Sequence, residues 1–138
     1  MPTQTLVSGL CFGEGPRWHD NSLWFSDMHA QQVIRISAQG TVQPVVQVAN
    51  RPSGLGWLPN GDLLVVSMTD RQLLRWDGNS LARHADLSGL ASCDCNDMVV
   101  DGNGRAYVGN FGFDLHAKQE PRPAELICVE PTGEARVV

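Results

Sequence analysis

Apolar residues in this chain come in short runs of four to six, each closed by Gly, Asn, Asp or Pro. No stretch sustains them at the i, i+3, i+4, i+7 spacing of a helix face, so the pattern predicts an all-β chain. The runs fall into three groups of four. The first group covers residues 15–18, 23–27, 32–37 and 41–48, the second 53–57, 62–68, 72–76 and 80–85, and the third 96–100, 105–110, 124–129 and 134–138. Ala38-Gln39-Gly40 and Asp77-Gly78-Asn79 read as turns, the latter of a kind that tolerates positive φ. Between the second and third strands of the last group lies Gly112 to Pro123, a long connection with Pro121 and Pro123; loops of that length bind something or are disordered.

The grouping is a repeat. With Glu14 placed over Ser53 and Asn96, which are 39 and 43 residues apart, Gly15-Pro16-Arg17-Trp18 superposes on Gly54-Leu55-Gly56-Trp57 and on Asp97-Met98-Val99-Val100. A turn and a second apolar run follow each of them: Leu23-Trp24-Phe25, Leu63-Leu64-Val65-Val66 and Ala106-Tyr107-Val108. A period near 40 built of strands and turns is the signature of a β-propeller, one four-stranded blade per repeat. Three blades are visible, with no linker or composition shift to divide residues 1–138.

Composition narrows the function classes. An apolar content of 42% is enough for a packed core. A net charge of −5 with no basic run argues against nucleic acid, and apolar stretches this short argue against a membrane span. Met1-Pro2-Thr3-Gln4-Thr5 lacks the pattern of a secretory signal, so the cytoplasm is the expected location. Cys11, Cys93, Cys95 and Cys128 are expected to be reduced structural thiols, because Cys93 and Cys95 have one residue between them instead of the two to four of a zinc knuckle.

Glu14, Ser53 and Asn96 head the first strand of each unit. In a propeller that strand is innermost, so its polar leading residue faces the central channel. Oxygen donors converging there suit a hard divalent cation such as calcium or magnesium. The same residues also read as turn chemistry, with Glu14 solvated and Asn96 bonded to backbone in an Asx-turn.

Gly13-Glu14-Gly15-Pro16-Arg17-Trp18, Leu23-Trp24-Phe25-Ser26-Asp27, Asn96-Asp97-Met98-Val99-Val100-Asp101 and Gly104-Arg105-Ala106-Tyr107-Val108-Gly109-Asn110-Phe111-Gly112 together resemble the SMP-30/gluconolactonase/LRE family, which includes regucalcin. The resemblance runs from about Gly9 to Val138. It implies a six-bladed propeller with one divalent metal in its axial pocket, calcium first, with zinc, magnesium or manganese as alternatives. The implied activity is hydrolysis of sugar lactones or related small esters.

Residue by residue, the resemblance gives Glu14 the part of a metal ligand and Asn96 that of a substrate contact beside the metal. Asp94 stands where some members carry an Arg that holds the sugar, a departure from a regucalcin-like preference. Asp114 falls where some relatives place an acidic substrate contact, and Asn110 and Phe111 end a strand near the same mouth. The family's other metal ligands, an Asn and an Asp that is also the proposed general base, come from blades beyond the third and have no counterpart in this sequence. The expected chemistry is metal-assisted hydrolysis, in which a cation polarises the lactone carbonyl and a carboxylate takes a proton from water.

Three blades are too few to close a ring, which predicts exposed apolar lateral faces on the first and third. In the family it resembles, Thr5-Leu6-Val7-Ser8 would pair with the last blade to seal the ring, and that partner is missing among these three units. The chain is then either part of a protein about twice as long or a half-ring that forms a homodimer, the first being favoured. A non-catalytic binding platform is the alternative function. Other sites are weak: no Ser has the Gly-x-Ser-x-Gly frame of a nucleophile elbow, and His19, His29, His84 and His116 form no metal-ligand pair. His19 is expected to be solvated, Trp18, Trp57 and Trp76 to pack between blades, Asp27 to bond a neighbouring loop, and Lys118, Glu120 and Arg122 to face solvent.

Overall fold

A computed structural model describes residues 2–114 and 116–138. Its twelve strands are β1 (Gly13–His19), β2 (Ser22–Asp27), β3 (Gln32–Ser37), β4 (Val42–Gln47), β5 (Pro52–Trp57), β6 (Leu63–Ser67), β7 (Gln72–Trp76), β8 (Leu81–Asp86), β9 (Cys95–Val100), β10 (Ala106–Asn110), β11 (Ile127–Val129) and β12 (Ala135–Val137). Each consecutive four form one antiparallel sheet in sequence order, the up-and-down arrangement of a propeller blade. Turn chemistry fixes the hairpins: Asp77 Oδ1 accepts the Asn79 and Ser80 amides at 2.8 Å while Gly78 takes φ 94°. No helix among the described residues is long and apolar enough to cross a membrane.

The sheets stack face to face. Val33 from the first packs with Leu55, Leu63 and Val65 from the second, and the other face of the second presents Leu64, Val66 and Leu73 to Met98, Ala106, Val108, Ile127 and Val129 of the third. Alternation along β6 explains how one strand serves both interfaces: Leu63 and Val65 point one way, Leu64 and Val66 the other, and all are at most 2% exposed. Each such side chain, fully buried, stabilises the stack by roughly 1.5–3 kcal/mol.

One expectation is corrected, because the lateral face of the first sheet is not bare: Val7, Leu10 and Leu23 pack on Phe25, Ile34 and Ile36, which are 4–5% exposed, while Thr5–Ser8, with no further sheet to pair with, lie outside the strands. The reason is local, because Asp27 accepts the Cys11 amide at 3.0 Å and the Phe12 amide at 2.7 Å and so lays the N-terminal segment along its own sheet. Asp27 thus has the loop-bonding role expected of it. On the third sheet the corresponding face carries the cross-strand row Val99, Tyr107, Cys128 and Arg136. There Val99 is exposed, Cys128 is buried, and Arg136 reaches Glu130 at 3.7 Å, so the face is only partly apolar.

Candidate functional site

The innermost strands β1, β5 and β9 run side by side, and glycines let them approach. A Cβ on Gly54 would lie 2.5 Å from the Met98 nitrogen, and one on Gly56 would lie 2.3 Å from Val100 Cγ2. Arg17 crosses the same gap, its Nη2 donating to the Met98 carbonyl at 2.6 Å, and the buried Ser26 hydroxyl donates to the Ser53 carbonyl at 2.6 Å. Each inner pairing also loses register near its start: between Glu14 and Arg17, between Pro52 and Leu55, and opposite Val108 to Asn110 at residues 96–97. Bulges of this kind re-aim side chains at the rim of a sheet.

The three aligned positions meet at that rim. Ser53 Oγ, in a residue with no solvent exposure, lies 3.0 Å from Glu14 Oε2 and 2.9 Å from Asn96 Oδ1. Glu14 Oε1 is buried with no hydrogen-bond partner. Desolvation raises the Glu14 pKa above the ordinary carboxylate value; the Ser53 hydrogen bond opposes the shift and the nearby Asp97 charge adds to it. Neither turn reading holds for these residues: Glu14 is half-buried, and the Asn96 amide oxygen meets a side chain.

This donor set suits a hard cation in kind. A half-buried carboxylate with an orphaned oxygen, an amide and a hydroxyl are the ligand types calcium and magnesium take. It is short in number, since calcium takes about six to eight oxygens, and among the described residues no three His, Cys, Asp or Glu side chains gather where they could hold a metal. Burial pushes the neighbouring Cys95 thiol up to about 12.

The other predicted site residues are engaged in a loop. Asn110, paired with Cys95, stands at the Asn96 end of the third sheet, but its Nδ2 donates to the Glu125 carbonyl at 2.9 Å and its Oδ1 accepts the Gly112 amide at 2.8 Å. Asp114 Oδ1 accepts the Ala117 amide at 2.9 Å. Phe111 is 48% exposed, its amide bonded to the Asp94 carbonyl. Arg122 is exposed, as expected, and its Nε also donates to the Gly112 carbonyl at 2.7 Å. Sequence reading passed over Glu125, whose Oε2 accepts the Ser92 hydroxyl at 2.6 Å and the Ser92 amide at 3.1 Å. Those bonds, with Asn110, hold its carboxyl down at about 2.

The profile of the SMP-30/gluconolactonase/LRE-like region matches residues 12–138. The chain belongs to this family. Among solved structures, a putative gluconolactonase superposes with a TM-score of 0.77 at 18% identity, covering 97% of this chain and 50% of its own. A gluconolactonase from Xanthomonas campestris gives 0.76 at 20% identity, with 96% and 48% covered, and a calcium-binding regucalcin from Agrobacterium tumefaciens gives 0.74 at 20%, with 96% and 44% covered. This member therefore spans about half the length of the structures it matches, and identities this low show the fold alone. No curated protein matches the sequence.

A second feature lies at the far end of the same inner strands. A cavity of about 450 Å³ opens between residues 17–19, 55–59 and 99–102. His19 stacks on Trp57 there, with ring centroids 3.9 Å apart and planes at 10°, and Trp24 meets Trp57 edge-on at 5.5 Å. The expectation of a solvated His19 is corrected by that stack. Trp18, expected to pack between blades, is 66% exposed and lines this cavity, whereas Trp57 and Trp76 do pack between the first and second sheets. All four cysteines are free thiols, with Cys95 and Cys128 buried as expected and Cys11 exposed.

Proposed function

We propose that this chain forms three blades of a six-bladed propeller that hydrolyses a sugar lactone or related small ester with the help of one divalent cation. The observation that carries the reading is the meeting of Glu14, Ser53 and Asn96 at one end of the inner strands, with Glu14 Oε1 buried and unpartnered. Glu14 and Asn96 would hold the cation, calcium by preference, and the cation would supply Lewis-acid polarisation of the ester carbonyl. Asn96 would also orient the substrate oxygen. The remaining oxygen ligands and the carboxylate base would come from outside this chain, so the three blades alone are inactive in this reading. Asp94, in place of a sugar-holding Arg, favours a substrate without an anionic group at that position.

Thermal unfolding with calcium, magnesium, manganese or zinc tests the cation, because ligation of the native state raises its stability by mass action. Stabilisation by one of them in the wild type and its loss in Glu14→Gln are expected. The reading also requires metal-dependent lactone turnover by a closed ring containing these blades, abolished by the same substitution. If no cation stabilises the chain and the ring turns nothing over, the blades are a binding platform.

A further inference from the structure

Ser53 carries no role in the proposed chemistry, yet it stands between the two groups that do. Its hydroxyl has one hydrogen, and oxygen atoms lie on both sides of it, Glu14 Oε2 at 3.0 Å and Asn96 Oδ1 at 2.9 Å. One proton cannot make two full-strength hydrogen bonds, and a carboxylate is the stronger acceptor. An ionised carboxylate only accepts, so with Glu14 charged the proton on Ser53 goes to Glu14, and the contact with Asn96 then places two lone-pair atoms face to face. Rotating the Asn96 amide by half a turn removes the conflict, because its oxygen and nitrogen exchange places with almost no change in shape.

We propose that the three side chains form a directed relay, Asn96 Nδ2–H to Ser53 Oγ and Ser53 Oγ–H to Glu14 Oε2, with Ser53 as the residue that positions the other two. The relay has a consequence for the site. It uses one oxygen of Glu14 and the nitrogen of Asn96, and leaves Glu14 Oε1 and Asn96 Oδ1 unshared. Those are the two atoms a cation would take. Ser53 can hold this position because it is fully buried and its backbone is fixed by the Ser26 hydroxyl on its carbonyl, so neither its place nor its proton is shared with solvent. The opposite order, Glu14 to Ser53 to Asn96 Oδ1, needs a protonated carboxyl and ties up the Asn96 oxygen.

The cation half of this inference rests on the proposed function; the order of the relay does not. Exchange of the Asn96 side-chain amide protons, measured by NMR on the metal-free chain at neutral pH, separates the two. In the wild type one of the pair should exchange about tenfold or more slowly than a free amide, and Ser53→Ala should remove that protection. Free exchange of both protons in the wild type, or protection that persists in Ser53→Ala, overturns the relay. Ser53→Ala removes one oxygen and adds nothing to the buried position, so the fold is retained. In a calcium titration followed by calorimetry the same variant should bind about 10–100-fold more weakly, the usual cost of losing a group that orients a ligand. Equal affinity refutes the positioning role, whereas a wild type that binds no cation refutes the proposed function and leaves the relay to the exchange result.

Discussion

At the scale of single residues, the closest constraint is steric. Gly54 is where the second blade meets the backbone of the third, and Gly54→Ala would put a Cβ within 2.8 Å of two Met98 atoms, neither of which can swing aside. We expect it to lower unfolding stability by about 1–3 kcal/mol or more, the cost of overpacking. Gly89→Ala, where nothing lies within 4 Å, should leave the denaturant midpoint nearly unchanged. Equal midpoints for the two variants would contradict the close approach. Asp27→Ala should cost a further amount of similar size, about 1–3 kcal/mol, because the amides of Cys11 and Phe12 lose their acceptor. The meeting of Glu14, Ser53 and Asn96 was legible because the repeat sets three inner strands in register. His19 and Trp18 were not, since each depends on what the adjacent sheet presents 38 or more residues away, as Trp57 does to His19.

The element that departs most from its sequence expectation is the third strand of the third blade. Residues 124–129 read as one strand, but only Ile127–Val129 pair. The preceding residues close the long loop instead: Gly112 lies against Ala124 and the Arg122 carbonyl, Arg122 Nε donates back to Gly112, and Glu125 turns to Ser92 and Asn110. Hydrophobic alternation cannot report a side chain withdrawn into a clamp. The clamp is pH-dependent. Glu125 falls from an ordinary 4.5 to about 2 in the fold, so its contribution is complete above 4.5 and is lost as pH drops from there towards 2. Exchange of the Ser92 amide should accelerate over that interval, and Glu125→Gln should raise it at all higher pH values. An exchange rate that is flat across the interval would mean the loop is held by other contacts.

On the scale of the whole molecule, twelve strands in three sequential sheets were readable from turns and period, while the fate of the two lateral faces was not. Period and alternation say which residues leave a sheet on a given side; they do not say what covers them. Here the first blade covers itself: Val7 and Leu10, half-buried, sit on Phe25, Ile34 and Ile36, and Leu10 Cδ1 is 3.1 Å from the space a Gly13 Cβ would fill. Removing residues 2–10 should therefore uncover that cluster and lower stability by on the order of 2 kcal/mol, less than full burial of two aliphatic side chains gives. The uncovered face should bind a hydrophobic dye and drive the chain into larger species on size-exclusion chromatography. Leu10→Asp should act in the same direction without shortening the chain, because it sets a charge on the same apolar face. If both variants stay as small and dye-free as the wild type, the segment is not the cover. A face so covered could meet a further blade only across the N-terminal segment, so any ring that includes these blades must accommodate that segment where it closes.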